Sequence, residues 1–223
     1  AYDMDGNIIT ITHPGNAVEQ WTYDGTFSEV TYYSDELGRE TYFDVDSATG
    51  DVTKITRVVG ILDSASGGQE DDDVLMQFTY TPPPQGASDL PGGLVTQVTD
   101  AEGRMTKYEY YDNPAIGDFG LLKKVIFAFG STEEAEAEFF YDPVSRTLSA
   151  IEDELNRRTE YEYDKLDRVI KRIDPDPDYN PATQQDGPLS SPVWTYEYCE
   201  CSGKLTKTTD PLGNTTEYIY DDR

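Results

Sequence analysis

The stretch TEYEYDKLDR, residues 159–168, decides the fold. Thr159, Tyr161 and Tyr163 alternate with two glutamates, and this period of two is typical of a β-strand with one aromatic and one acidic face. The residues that follow favour a tight turn, because Asp164 can cap a turn and Asp167 stands where positive φ is needed. The stretch therefore predicts a strand that ends in a reverse turn.

Runs that end in an aromatic residue and Asp recur along the chain. They lie at 20–24, 41–44, 108–112, 138–142, 161–164 and 218–221, and residues 196–199 fit the same slot with Cys199 in place of Asp. The spacing from Asp142 to Asp164, and from Cys199 to Asp221, is 22 residues. Self-similarity at a fixed period indicates a repeat protein.

A second motif, Asp-x-x-Gly/Asn followed by Arg or Asn, precedes many of these runs. It occurs at 35–39, 100–104, 153–157 and 210–214, with a degenerate copy at 13–16. Asp at the first position and Gly or Asn at the fourth suit a type I turn with a G1 bulge. Each unit is then strand, turn, strand, turn, and its repetition predicts a continuous antiparallel ribbon.

The two motifs predict the structural positions of the repeat. These are Tyr23, Asp24, Asp35, Gly38, Asp100, Gly103, Tyr110, Asp112, Tyr141, Asp142, Asp153, Tyr161, Tyr163, Asp164, Asp210, Gly213, Tyr218, Tyr220 and Asp221. We interpret the tyrosines, with Trp21 and Trp194, as residues that pack across neighbouring strands. The alternative is exposed rings that stack on sugars.

The predicted fold class is all-β, with antiparallel β-hairpin repeats that form a curved, extended sheet. We expect a single domain over residues 1–223. Insertions are expected at about 60–95 (Gly60 to Asp73 and Pro82 to Gly93), 113–120 and 174–192, because these ranges are rich in Pro, Gly, Ser and Asp.

The charge excludes some classes of partner. The chain has 17 Lys and Arg against 44 Asp and Glu, a formal net charge of −27, which repels nucleic-acid phosphate. No apolar run approaches the ~18 residues of a membrane span. The acidic loops at 70–73 and at Asp174, Asp176 and Asp178 are weak Ca²⁺ candidates, although we favour a solvated charge run.

Catalytic and soft-metal chemistry is poorly supported. Cys199 and Cys201 form a C-x-C pair that would point to opposite faces of a strand, so we expect a mutual disulfide to be strained there. With His13 as the other soft or nitrogen ligand, we expect no zinc site. His13 stands in a Pro-Gly turn context, and no nucleophile elbow, phosphate loop or His-Glu-x-x-His motif occurs. We therefore predict that the chain is not an enzyme.

The combined pattern resembles the YD, or Rhs, repeat, most clearly at residues 153–174 and 199–223. In that family the repeats wind into a spiralling β-sheet that closes as a hollow shell. The shell encloses a cargo domain in toxin complexes and Rhs toxins, and a similar shell serves cell adhesion in teneurins. Rhs proteins often carry an aspartyl protease element with Asp-Pro-x-Gly, but we interpret residues 210–213 as a repeat turn.

The resemblance implies a non-catalytic structural segment of a bacterial extracellular or cell-surface protein, in the wall of a shell or fibre. It implies no cofactor, and neighbouring YD repeats of the same or other copies as partners through strand pairing. Two alternatives stay open. One is an adhesion module that binds glycan or a surface protein. The other is a toxin-encapsulating shell segment whose toxin domain lies outside this chain.

Overall fold

The computed structural model describes residues 1–60, 73–178, 183, 187 and 189–221. These residues form strands joined by turns and loops, and none of them lies in a helix. A membrane-spanning helix is accordingly absent from this part of the chain. The predicted all-β, antiparallel fold class is confirmed.

The chain divides into two compact units. The first comprises Ala1–Tyr108 with Phe127–Glu133, and the second comprises Glu109–Ile126 with Glu134–Arg223. In each unit, strands that follow one another along the chain are hydrogen-bonded neighbours. Each unit is therefore built from local hairpins without crossovers.

The strands of the first unit follow the chain order β1 to β8 and pair antiparallel. They are β1 (Thr10–Thr12), β2 (Val18–Tyr23), β3 (Val30–Ser34), β4 (Glu40–Val45), β5 (Val52–Arg57), β6 (Val74–Tyr80), β7 (Val95–Thr99) and β8 (Met105–Tyr110), of which the last two residues belong to the second unit.

The strands of the second unit follow the same rule, and the pairs from β10 onward are antiparallel. They are β9 (Leu122–Phe127, of which Phe127 belongs to the first unit), β10 (Ala135–Tyr141), β11 (Leu148–Glu152), β12 (Arg158–Tyr163), β13 (Val169–Ile173), β14 (Val193–Tyr198), β15 (Leu205–Thr209) and β16 (Thr215–Glu217). Two expected insertions, Gly60 to Asp73 and Pro82 to Gly93, flank strand β6.

Strand β12 shows why these residues form strands. Its exposure alternates along Arg158–Tyr163, with Thr159, Tyr161 and Tyr163 less exposed than the residues between them. Tyr and Thr favour the pleated, half-buried surface of a sheet, whereas Glu tolerates the wet face. The alternation read from the sequence is thus the alternation of the two sheet faces.

A register shift lies just before the last residue of six strands, β2, β4, β6, β10, β12 and β14. It falls just before Tyr23, Val45, Tyr80, Tyr141, Tyr163 and Tyr198. A β-bulge increases the local twist and re-aims the side chain beside it. The aromatic residue of most repeats therefore leaves the strand in an orientation different from that of a regular ladder position.

The sheet has little deeply buried core. Among the described residues, the buried hydrophobic side chains are Val125, Ile126 and Ala150. Most strand residues are half-buried, as in β13 and β15. Cross-strand contacts and turns must therefore contribute much of the stability, since apolar burial is limited.

Two details differ from the sequence analysis. Cys199 and Cys201 are joined in a disulfide. We expected strain because we placed both cysteines in a strand, but Cys199 follows the end of β14 and both cysteines lie in the turn. Asp44, taken as the end of an aromatic-Asp run, lies within β4, and the turn begins at Asp46.

Candidate functional site

The repeated Asp residues each organise one turn, and we call this arrangement an Asp lock. In the lock of Asp153, Oδ1 accepts the N–H groups of Leu155 and Arg157, both at 3.0 Å, and Oδ2 accepts Arg157 Nε at 2.8 Å. The Asp153 N–H donates to Arg157 O at 3.1 Å, and the Asn156 N–H donates to Asp153 O at 2.9 Å. One carboxylate thus accepts hydrogen bonds from two backbone N–H groups of the turn and from the arginine side chain.

The same five-residue lock recurs six times among the described residues. The first and fifth residues are Asp3 and Asn7, Asp35 and Arg39, Asp100 and Arg104, Asp153 and Arg157, Asp164 and Arg168, and Asp210 and Asn214. The fourth residue always has positive φ, at Gly6, Gly38, Gly103, Asn156, Asp167 and Gly213. The Asp-x-x-Gly/Asn-Arg/Asn pattern is therefore the sequence signature of this turn, and residues 210–214 are one copy of it.

A six-residue lock closes several of the turns after the aromatic residue. In the copy at Asp142, Oδ1 accepts the N–H groups of Val144 at 2.9 Å and Ser145 at 2.8 Å, and the Asp142 N–H donates to Thr147 O at 2.9 Å. The positive φ moves to the fifth residue, Arg146. Related turns begin at Asp24, Asp46 and Cys199. At Cys199 the sulfur takes the place of the carboxylate and accepts the Cys201 N–H at 3.2 Å.

Hydrogen bonds lower the pKa of the lock carboxyl groups. The Arg168 side chain holds the pKa of the Asp164 carboxyl below its usual range, and Arg104 does the same for the pKa of Asp100. Backbone N–H donors lower the pKa of Asp24, Asp35 and Asp142. Donors that point at a carboxylate favour its charged form, so these groups are ionised structural acceptors.

The tyrosine at the end of a strand ties it to the preceding strand. Tyr198 Oη donates to Val169 O at 2.9 Å, and Tyr80 Oη donates to Val52 O at 2.6 Å. Tyr23 Oη donates in the same way to Ile8 O at 2.7 Å, immediately before β1. In β13 and β5 the acceptor is the first residue of the strand. The hydroxyl therefore ties the end of one strand to the start of the strand before it.

Arg168 connects the turn after β12 with the turn after β14. Besides its bonds to Asp164, its guanidinium lies 4.5 Å from the centre of the Tyr198 ring, and Nη1 donates to Gly203 O at 3.3 Å. Arginine suits this position because its planar fork can bond a carboxylate while its face stacks on an aromatic ring. Aspartate, arginine and tyrosine of neighbouring repeats thus form one contact network.

Some predicted repeat positions lie outside the locks. Tyr110, Tyr141, Tyr161 and Tyr163 lie on strands, but the turn after β8 closes at Tyr111, whose N–H donates to Leu121 O, so Asp112 falls inside the loop. Strand β16 ends at Glu217, so Tyr218, Tyr220 and Asp221 follow it.

Sequence reasoning missed one variant of the lock. At Thr81, Oγ1 donates to Pro91 O at 2.5 Å and accepts the Leu94 N–H at 3.0 Å, so a hydroxyl replaces the carboxylate. The preceding Tyr80 makes the usual hydroxyl bond. The sequence signal for this turn is Tyr-Thr-Pro at the end of an alternating strand, which has Thr in place of the Asp of the aromatic-Asp motif.

The proposed Ca²⁺ ligands are engaged in local contacts. Asp174 pairs with Arg172 and accepts Trp194 Nε1 at 3.0 Å, Asp176 accepts the Asp178 N–H, and Asp178 accepts the Leu189 N–H. Glu70, Asp71 and Asp72 lie outside the described residues. Calcium binding at these loops stays a prediction. Within the described ranges, metal-ligating atoms converge instead at His13, Glu19 and Glu36.

The locks and the strand order define a protein class, the antiparallel strand-and-turn repeat. Residues 141–178 match the family model described as RHS Repeat, and this range holds the Asp142 and Asp164 turns with the Arg168 contact. No curated protein matches the chain. The RHS Repeat match bears out the resemblance to the YD/Rhs repeat that the sequence shows.

Solved structures of Tc toxin proteins contain a similar fold. The crystal structure of TcdB2-TccC3-Cdc42 matches 100% of this chain with a TM-score of 0.61 and 14% identity, and that of TcdB2-TccC3-TEV matches 97% with 0.63 and 14%. The Photorhabdus luminescens Tc holotoxin pore with a TccC3 mutation matches 90% with 0.59 and 17%. The chain spans only 12%, 11% and 9% of those chains. At this identity the likeness shows the fold alone.

Proposed function

We propose that the chain is a non-catalytic wall segment of a large extracellular YD-repeat shell. The proposal is carried by one observation: the polar residues of the repeat are bonded within the repeat itself. The carboxylates and tyrosine hydroxyls that could serve chemistry are instead bonded to backbone groups of the turns and strands, as at Asp153, Asp164 and Tyr198. The arginines of the locks are bonded to those carboxylates. A motif whose polar groups are engaged in such hydrogen bonds has a structural role.

The comparisons support a shell in particular. Nearly the whole chain matches about a tenth of much longer Tc toxin chains, which is the relation expected of one section of a long repeat array. In such an array each hairpin contacts its sequence neighbours, so a section has the same local structure as the whole. Its partners would be further YD repeats that pair with its outer strands.

A shell that encloses a toxin is the second candidate. The specific observation is that the matched structures belong to Tc toxin complexes, one of them in the pore form of the holotoxin. Under this candidate the wall residues are the same, and the toxin domain lies outside this chain. An adhesion module for glycan has less support, because the tyrosine hydroxyls at the ends of β2, β6 and β14 are bonded to backbone carbonyls.

Electron cryomicroscopy of the full-length protein purified from its natural source tests the wall proposal. We expect residues 1–221 to form part of a continuous β-sheet around a lumen. Density inside that lumen from another domain would favour the toxin shell over an empty scaffold. A full-length particle in which these residues form a separate domain, with no enclosing sheet, would contradict the proposal.

A glycan array tests the adhesion alternative. The wall proposal predicts no binding above background. The substitutions to test are Tyr218→Ala and Tyr220→Ala, because these two tyrosines are among the most exposed of the chain. Binding that disappears with either substitution to Ala would establish an adhesion site on the repeat.

A further inference from the structure

The single histidine of the chain lies between two carboxylates of the first unit. His13 Nε2 is 2.9 Å from Glu19 Oε1 and 3.3 Å from Glu36 Oε1. All three ligand atoms lie within 4.8 Å of one another. The side chains of His13 and Glu19 are 30% and 20% exposed, and that of Glu36 is 48% exposed. The group is therefore reachable from solvent but partly enclosed.

Three separate elements bring these residues together. His13 begins the turn after β1, where its N–H donates to Ala17 O, and Glu19 lies in β2 opposite Ile11. Glu36 is the second residue of the lock that follows β3, and Asp35 holds the backbone of that turn. The convergence therefore follows from the side-by-side pairing of two hairpins through β2 and β3, and the locked turn limits the freedom of the Glu36 backbone.

The surroundings of this group are negatively charged. The pKa of Tyr33 is raised by burial and then by the charges of Glu19, Asp35 and Glu36. Arg39, the cation of that turn, is bonded to Asp35 through Nε at 2.5 Å. With a chain charge of −27, the field around His13 favours a bound cation.

We propose that His13, Glu19 and Glu36 bind a divalent transition-metal ion of the Zn²⁺ type through one imidazole nitrogen and two carboxylate oxygens. Imidazole suits Zn²⁺, Ni²⁺ and Cu²⁺, whereas Ca²⁺ prefers six to eight oxygen ligands, so calcium is a poor match for the donor set. Three protein ligands leave coordination positions to water. The metal would join the first two hairpins of the chain, and this site does not depend on the wall proposal.

Isothermal titration calorimetry with ZnCl₂ tests the site on tag-free chain kept without reductant, so that Cys199 and Cys201 stay in their disulfide. We expect one Zn²⁺ per chain, and a rise in melting temperature on binding. His13→Gln should lower the affinity by about 10–100-fold or more, since loss of an outer-shell partner already costs that much. Glu19→Gln and Glu36→Gln should each weaken binding as well.

Glu29→Gln is the matched control, because Glu29 is an exposed carboxylate of the same unit outside the group, and it should bind Zn²⁺ like the unsubstituted chain. Melting in EDTA shows that each variant folds, and a Co²⁺ absorption spectrum reports the ligand set directly. Unchanged Zn²⁺ affinity in His13→Gln would overturn the proposal, because the ion would then be held by carboxylates elsewhere. Failure of the unsubstituted chain to bind Zn²⁺, or binding of Ca²⁺ that depends equally on His13, would also overturn it.

Discussion

One carboxylate organises each locked turn at the scale of single residues. In the Asp153 lock it accepts two backbone N–H groups and an arginine nitrogen, and the fourth residue of the turn provides the positive φ that closes the ring of bonds. A Cβ at that residue crowds the following carbonyl in the left-handed region, which is why Gly, Asn or Asp stands there. The carboxylate and the positive φ are therefore separate requirements, and each can be tested alone.

Gly38→Ala tests the conformational requirement. Gly38 has φ of 75°, and a Cβ built there meets no atom within 4 Å, so the substitution adds backbone strain without a clash. We expect it to lower the free energy of unfolding by about 1 kcal/mol in urea denaturation. Gly25→Ala is the control, because Gly25 also has open space but no positive φ. Equal losses in both variants would show that the left-handed conformation is not what Gly38 supplies.

Acid should weaken the locks. A carboxyl whose pKa is lower in the folded chain than in the unfolded chain contributes stability above the unfolded value, about 3.9 for Asp, and loses it as the pH falls through the folded pKa. Asp100, Asp142, Asp164 and Asp210 all have lowered pKa values. We therefore expect the urea midpoint to be constant from pH 7 to pH 5 and to fall below about pH 4.

Asp164→Asn assigns part of that acid sensitivity to one lock. The difference in free energy of unfolding between the unsubstituted chain and Asp164→Asn should be largest above about pH 5 and shrink as the pH falls toward 3, because protonation removes the same charge. Asp44→Asn, in a strand outside any lock, is the control. A difference for Asp164→Asn that does not change with pH would contradict an ionised lock.

Hairpins are the unit of construction at the scale of elements. Each strand pairs with its sequence neighbour, and a bulge before the last residue turns a tyrosine such as Tyr198 toward the preceding strand. Trp21 and Tyr33 show the ordinary cross-strand contact, with ring centres 5.3 Å apart. Aromatic residues thus have two roles here. Some pack in cross-strand pairs, and some tie a strand to the preceding strand through the tyrosine hydroxyl.

Tyr198→Phe separates the hydroxyl tie from ring packing. It removes the bond to Val169 O but keeps the ring beside Arg168, so we expect a loss of about 1 kcal/mol in the free energy of unfolding. Tyr218→Phe, at an exposed position after β16, should change it by less than about 0.5 kcal/mol. A Tyr198→Phe chain as stable as the unsubstituted one would show that the hydroxyl bond contributes nothing net.

Tyr161→Ala measures the worth of a half-buried ladder tyrosine. For a buried ring the expected loss would be about 2–4 kcal/mol. Because Tyr161 keeps part of its surface exposed in β12, we expect a value near the lower end, about 2 kcal/mol, in chemical denaturation. A loss under about 0.5 kcal/mol would mean that this face is solvated.

Local patterns predicted most strands and turns because the information is local in this fold. The alternation in residues 159–163 and the lock formula at 153–157 each lie within a few residues, so they could be recognised without knowing the rest of the chain. Prediction failed where another residue type takes the Asp position of the turn, as Thr81 does. It also failed where an aromatic-Asp pair lies within a strand and not at its end, as at Asp44 in β4. The expectation of no zinc site took account of Cys199, Cys201 and His13 only. The convergence of His13 with Glu19 and Glu36 could not be predicted, because it depends on the side-by-side pairing of separate hairpins.

Charge acts at the scale of the whole molecule. The net charge of −27 opposes edge-to-edge association of exposed strands and also repels parts of the folded chain from one another. Raising the salt concentration from about 0.01 M to 0.15 M shortens the Debye length from roughly 30 Å to 8 Å. We expect the melting temperature to rise over this range in scanning calorimetry. A fall would mean that attractive ion pairs such as those of the locks outweigh the net repulsion.

The central feature of this structure is a set of strands that pair in chain order with locked turns between them. Interstrand nuclear Overhauser effects between backbone protons measure this directly on the isotope-labelled chain. Contacts are predicted between facing residues such as Tyr32 and Tyr42 in the first unit, and Glu160 and Ile173 in the second. Systematic contacts between strands that are not consecutive within a unit, for example β2 with β5, would contradict it.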